Sequence, residues 1–312
     1  MAMAATAAIR TSQLSKDYGA GHGLFDLDLE VERGEIFGFI GPNGAGKSTT
    51  MRLLLDLIVP SSGSATLLGL DSRKDSLEIR RRVGYLPGDF ALYPRLTGAA
   101  VLDYLAHLNG GVDHAVRDRL VDRFDAQLDR PLEDLSTGNR QKIGLISAFA
   151  GEPELLILDE PVAGLDPLVQ QSFHELLDEV VAGGATVMLS SHSLPEVERV
   201  AHRVAVVRRG RLVVVDAVDH LREIAVRRLE VEIGGEPPAA GVLEGVAGVQ
   251  GIERSGSHLI ISFEGSADPV VKALAAYEVR SIHSREDGLE QVFLRFYDEP
   301  DEEIGAGREA GP

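Results

Sequence analysis

Nine consecutive residues, Gly41, Pro42, Asn43, Gly44, Ala45, Gly46, Lys47, Ser48 and Thr49, stand between an apolar run (Glu35 to Ile40) and a helix-patterned segment (Lys47 to Ile58). Glycine supplies backbone angles that a side chain forbids, so successive N–H groups can turn inward around a polyphosphate. The helix behind adds the positive end of its dipole. The spacing lets Lys47 reach the β- and γ-phosphates and lets the Ser48 hydroxyl ligate the Mg²⁺ that bridges them. Such a string arises by chance about once in a hundred chains of this length. Its place between a strand and a helix makes chance a poorer explanation still.

Three apolar runs, Ile36 to Ile40, Leu155 to Leu158 and Thr186 to Leu189, are continuous rather than alternating. Strands covered on both faces read this way in parallel sheets, which predicts an α/β core with a mixed sheet. Each run ends in polar residues: the phosphate loop, Asp159-Glu160, and Ser190-Ser191-His192. Open α/β sheets bind their ligands at that edge. Ile9 to Tyr18 and His22 to Glu32 read as two strands about a Gly-rich turn, an antiparallel β subdomain ahead of the core. Residues 76–150 are helix-rich, with Thr97 to Leu108 and Arg140 to Ala150 apolar at helical spacing, and predict a helical lobe. Arg203 to Val207 and Leu212 to Val215, joined by Arg208-Arg209-Gly210-Arg211, read as a hairpin closing the main domain at about residue 222.

A smaller α+β domain is expected over residues 223–297. Its strands are Leu229 to Ile233, Val249 to Glu253, Leu259 to Phe263 and Val279 to His283; its helices are Asp268 to Ala276 and Gly288 to Tyr297. Residues 298–312 carry six acidic side chains against Arg308 and read as a solvated, disordered tail. The formal net charge of −18 speaks against a nucleic-acid partner, since phosphate neutralisation needs a basic face. The chain has no cysteine, which excludes disulfides and thiolate metal sites and suits a reducing compartment. The N-terminus lacks the basic region of a secretion signal, and no stretch approaches the roughly 18 apolar residues of a membrane span. Work at a membrane would therefore require another chain.

Leu155 to Pro161 delivers two carboxylates to the nucleotide edge. Neighbours in an extended chain point opposite ways, so their roles should differ. Asp159 suits the Mg²⁺ shell, directly or through water. Glu160 suits the orientation and deprotonation of an attacking water.

Leu135 to Lys142, Leu-Ser-Thr-Gly-Asn-Arg-Gln-Lys, resembles the signature segment of ATP-binding-cassette (ABC) ATPases, usually Leu-Ser-Gly-Gly-Gln. Ser136 reads as an N-cap, and the amides of Thr137 to Arg140 as a second anion-binding helix end. The resemblance extends over Ile9 to about Val215 and implies the ABC form of the phosphate-loop fold, with ATP and Mg²⁺ as ligands. It places Tyr18 where an aromatic ring stacks on adenine, Ser136 and Gly138 on a phosphate, Asp166 in the loop facing a partner cassette, and His192 on the γ-phosphate. Lys47, Glu160 and His192 would then be the catalytic set.

Two departures stand out. The family has Gln after Tyr-Leu-Pro; this chain has Gly88, which leaves a metal-sensing role vacant or passes it to the adjacent Asp89. Thr137 and Asn139 replace Gly and Gln of the signature. By resemblance, one chain holds half of each active site, so a head-to-tail dimer with a second copy or a paralogue is expected. The implied whole is the ATP-hydrolysing subunit of an ABC transporter, peripheral on the cytoplasmic face of the cell membrane beside a separate transmembrane permease. Phe90, Leu92, Tyr93 and Leu96 would supply an apolar docking surface. Tyr85-Leu86-Pro87-Gly88, the signature, and Gly288 to Leu294 point to the drug, antibiotic, lipid or ion exporter branch. The competing readings are a soluble ABC ATPase of ribosomes or DNA, against which the acidic charge speaks, and a degenerate ATP-binding regulator, against which the intact Lys47, Asp159, Glu160 and His192 speak.

Overall fold

A computed structural model describes residues 7–89, 93–108, 111, 113–224, 227–235, 238 and 240–285. The chain forms two compact units, 1–215 and 216–312. The division falls a little before the domain boundary read from the sequence.

The first unit begins with β1 (Ile9–Gly19) and β2 (His22–Val31), a hairpin turned by glycines as its sequence implies. β3 (Ile36–Ile40) leads through the phosphate loop into α1 (Lys47–Leu54). The chain then returns through β4 (Ser62–Leu67) and β5 (Leu70–Asp71), which complete an antiparallel sheet in the order β2-β1-β4-β5. The Ser/Gly-rich composition of Ser62 to Thr66 hides these two strands from a hydrophobic-pattern reading. β4 is nevertheless paired along β1, and Ala65 and Leu67 face the core.

α2 (Ser76–Arg82) and β6 (Val83–Leu86) precede the helical lobe of α3 (Gly98–Leu108), α4 (His114–Phe124) and α5 (Thr137–Phe149). Then follow β7 (Leu155–Asp159), α6 (Pro167–Ala182), β8 (Thr186–Ser191), α7 (Leu194–Val200), β9 (Arg203–Arg208) and β10 (Arg211–Ala217). A six-stranded sheet results, in the order β10-β9-β3-β8-β7-β6, and β3, β6, β7, β8 and β9 are mutually parallel.

Every residue of β3, β7 and β8 is buried, which is the physical origin of their unbroken apolar sequence. Phe37, Phe39, Leu155, Ile157 and Met188 from this sheet share one core with Met51 and Leu53 of α1 and with Leu14, Leu27 and Leu67 of the antiparallel sheet. The helix behind the phosphate loop is thus clamped between the two sheets.

The second unit contains α8 (Val218–Ile224), β11 (Arg227–Ile233), α9 (Ala240–Glu244), β12 (Val249–Ser255), β13 (His258–Phe263), α10 (Asp268–Leu274) and β14 (Val279–Arg285). Strand order β12-β13-β11-β14, with antiparallel pairing throughout, makes the run from β11 a split β-α-β-β-α-β unit. Alternation places Leu229, Val231 and Ile233 of β11 and Leu259, Ile261 and Phe263 of β13 in a core with Leu243, Val270 and Leu274 of the helices. The helix read over Gly288 to Tyr297, the exporter-like Gly288 to Leu294 segment and the acidic tail lie outside the described residues. Ile157→Ala, which empties a fully buried position in β7 of the six-stranded sheet, is expected to lower the unfolding free energy by about 2–5 kcal/mol, read from the midpoint of chemical denaturation.

Candidate active site

Because its strands run parallel, the sheet collects their C-terminal ends on one edge. Ile40 is level with Ser191 of β8 and with Val206 of β9, and Asp159 of β7 is level with Ser190. The phosphate loop, Glu160 and His192 therefore emerge side by side. A cleft of about 620 Å³ opens at this edge, lined by the loop from Pro42 to Thr49, Tyr18, His22, Glu160 and Arg209.

The loop has the geometry that its glycines imply, with one difference. Gly44 (φ 80°) and Gly46 (φ 109°) lie in the left-handed region. Gly41 does not; it is glycine because a Cβ there would run into the Val207 carbonyl and crowd Ala45. Lys47 is buried and folds back over the loop, donating from Nζ to the Gly41 carbonyl (2.7 Å) and lying 3.2 Å from Glu160 Oε1. The other oxygen of Glu160 is 2.8 Å from His192 Nδ1. Lys47 stands more than a hundred residues before Glu160 in the chain and His192 32 after it, yet the three form one continuous network.

The carboxylates diverge for a reason other than strand alternation. Asp159 ends β7, but Glu160 turns into the left-handed region (φ 49°), at a cost of about 1–2 kcal/mol for a residue with a Cβ. Hydrogen bonds hold it there. Its N–H donates to Ser190 Oγ (3.0 Å), and its carbonyl accepts from Gln141 Nε2 (3.1 Å), which also reaches the Pro161 carbonyl (3.0 Å). Ser190 Oγ in turn donates to Asp159 Oδ1 (2.6 Å). Asp159 is buried beneath the cleft rather than lining it, while Glu160 faces it. Ser190 and Gln141 hold the Glu160 turn, a task that motif reading did not assign to them. Their only sequence signal is their place, one at the end of a buried strand and one in the first turns of the signature helix.

Tyr18 is 56% exposed, so it is no packed core aromatic, and Lys16 Nζ lies 5.5 Å from its ring centroid. At the other departure from the family pattern, a Cβ at position 88 would stand 3.1 Å from Asp159 Oδ2. The Asp159 carboxylate closes against Gly88 backbone where the family has a glutamine side chain. Asp89 is exposed and outside the cleft lining.

The signature segment also differs in detail from expectation. Ser136 caps α5, accepting from the Asn139 N–H (3.1 Å), and the Arg140 N–H donates to the Ser136 carbonyl (3.0 Å). Of the amides from Thr137 to Arg140, these two are thereby spent within the helix start, while those of Thr137 and Gly138 are not. The Ser136 hydroxyl proton also stays available. Asn139 exchanges two hydrogen bonds with the backbone of Gln127 (2.8 and 2.7 Å), so this substitution secures the helical lobe. Position 138 keeps glycine because a Cβ would lie 2.6 Å from the Gly164 carbonyl, where the signature turn packs on the loop to Asp166. Asp166 caps α6, accepting from Leu168 and Val169 N–H (3.1 Å each). Ser136, Gly138 and Asp166 lie outside the lining of the Lys47 cleft.

The donor set fits Mg²⁺, which takes few protein oxygens and keeps water and phosphate for the rest: Ser48 offers a hydroxyl on the cleft and Asp159 a carboxylate just beneath it.

Residues 24–163 match the family model described as ABC transporter. The chain is 34% identical over 219 residues to the probable multidrug ABC transporter ATP-binding protein YbhF of Escherichia coli (strain K12), covering 69% of this chain and 38% of that protein. It is 34% identical to the daunorubicin resistance ATP-binding protein DrrA3 of Streptomyces coeruleorubidus, covering 93% of this chain and 96% of that protein. A solved structure titled as the ATP binding subunit of an ABC transporter superposes with a TM-score of 0.62 at 33% identity, over 69% of this chain and 91% of the other. The chain belongs to the ABC transporter ATP-binding protein family. Ser190→Ala, which strips partners from the buried Asp159 carboxylate and the Glu160 amide, is expected to cost about 1–3 kcal/mol in unfolding free energy, measured by denaturant titration.

Proposed function

We propose that the chain binds and hydrolyses ATP to drive an exporter whose membrane domains belong to a separate permease. The observation that carries this reading is the Lys47–Glu160–His192 network at the mouth of the phosphate loop. It joins a phosphate-binding cation, a carboxylate and an imidazole within hydrogen-bond reach.

Tyr18 stacks on the adenine, and the Gly41 to Thr49 amides hold the polyphosphate. Lys47 exchanges its Glu160 partner for the γ-phosphate, which frees that carboxylate to act. Glu160 accepts a proton from the attacking water as its oxygen bonds to the γ-phosphorus and the bond to the ADP oxygen breaks. His192, already on Glu160, turns between the carboxylate and the γ-phosphate. Ser48 and Asp159 would hold Mg²⁺, which when bound neutralises the developing phosphate charge.

A second chain completes the site. The Thr137 and Gly138 amides and the Ser136 hydroxyl supply an anion site outside the cleft of their own Lys47, so they serve the nucleotide of a head-to-tail partner. Asp166 and the exposed Leu168 belong to that face. Relatives named for multidrug transport and daunorubicin resistance support export as the direction.

The permease docks on the helical lobe. Phe90 and Leu92 lie outside the described residues, but Tyr93 is 49% exposed and forms an edge-to-face pair with the exposed Tyr104 at 5.5 Å, with Leu96 and Leu108 also exposed. No helix among the described residues is long and apolar enough to cross a membrane, so attachment rests on that partner.

Lys47→Ala is expected to abolish nucleotide binding. Glu160→Gln should accumulate an ATP-bound dimer while phosphate release falls by at least about 100-fold, followed by size-exclusion chromatography and a phosphate assay. A Glu160→Gln chain that stays monomeric in saturating Mg-ATP would count against the composite site. Tyr104→Ala should leave the ATPase of the isolated chain within about twofold of its original rate and weaken co-purification with the permease, since truncating an exposed aromatic anchor removes interface energy alone.

A further inference from the structure

The C-terminal edge of the parallel sheet presents a fourth group that the phosphate-loop, carboxylate and histidine motifs leave unused. β9 ends at Arg208, and the next residue, Arg209, lines the same cleft as Lys47, Tyr18 and Glu160. From these placements we propose that Arg209 is a further nucleotide-binding residue, its guanidinium engaging the phosphates of the bound nucleotide. The proposal rests on the reading of the cleft as an ATP site.

The turn that carries Arg209 is held from two sides. Gly210 donates its N–H to the carbonyl of Ala45 within the phosphate loop (3.0 Å), and its own carbonyl accepts from the Phe25 N–H of β2 (2.7 Å). A Cβ at Gly210 would run into the Gly23 carbonyl, so only glycine lets the turn seat this closely between the loop and the hairpin that bears Tyr18. Arg211, on the other side, is drawn away from the cleft by Asp26 (3.2 Å) and by the Phe25 ring (5.5 Å). Arg209 itself occupies the left-handed region (φ 49°). Its Cα is therefore placed relative to the phosphate loop by that loop's own backbone.

Charge gives the position its meaning. Lys47 and Arg209 both line a cleft built for a polyanion. A guanidinium presents paired N–H donors that match phosphate oxygens, and such charge-assisted bonds are stronger than neutral ones. A phosphate role predicts help for ATP and ADP alike, and also for a polyphosphate without a nucleoside.

The test is calorimetric titration of the full chain with Mg-ATP, Mg-ADP and tripolyphosphate. Arg209→Asn removes the charge with a residue that tolerates the left-handed turn, and Arg209→Gln is a second charge-free replacement should the first not fold. Both are expected to weaken all three ligands about tenfold, while Arg211→Ala stays within about twofold of the original chain. Unchanged Mg-ATP affinity in the Arg209 variants would overturn the proposal, as would weakened Mg-ATP with unchanged tripolyphosphate, which would place the side chain on the nucleoside. Failure of the original chain to bind any nucleotide would instead overturn the reading of the cleft.

Discussion

The structure depends on one set of hydrogen bonds, those that pair β3 in parallel with β8 on one side and β9 on the other. Parallel pairing lines up the C-terminal ends of strands that lie far apart in the chain. The phosphate loop leaves β3, His192 follows β8, Glu160 follows β7 in the next ladder, and Arg209 follows β9. An antiparallel sheet with the same residues would send alternate groups to opposite edges, and no common cleft would form. Burial of both faces keeps these strands in register, since a slip would carry the polar ends into the core.

Within the cleft, polar groups are held by one another more than by the loop they serve. Ser190 ties Asp159 to the Glu160 amide, Gln141 of the signature helix ties the Glu160 and Pro161 carbonyls, and Glu160 spans Lys47 and His192. Through Gln141 the helical lobe is bonded to the backbone of the proposed general base. In the proposed assembly, a rotation of that lobe on permease docking would act on the turn that aims Glu160.

Much of this was legible in the residue order. The unbroken apolar runs disclosed the buried parallel strands, and the polar residues at their ends disclosed the working edge. The phosphate loop, Asp159-Glu160 and the signature segment could be placed on their elements, and the strands of the second unit were visible from alternation. Other features were not. β4 and β5 lack an apolar pattern, because β4 opens on Ser62, Gly63 and Ser64, β5 is only Leu70–Asp71, and pairing with β1 supplies the rest. α9 has a single fully buried leucine, Leu243, too little to make a period. The split β-α-β-β-α-β order of the second unit follows from which strands pair, which alternation alone does not state.

The sequence by itself determined the class of chemistry and its local parts: a phosphate cradle, a carboxylate pair at a strand end, and a capped helix that resembles the cassette signature. These are local, since a loop or a capped helix is specified by residues within a turn of one another. Only the tertiary structure decided how Glu160 is turned, that Asn139 braces the lobe, that Gly88 yields its space to Asp159, and that Arg209 reaches the cleft. Each depends on groups from distant strands and loops meeting at one sheet edge, and their hydrogen bonds exist only once the parallel ladder has closed.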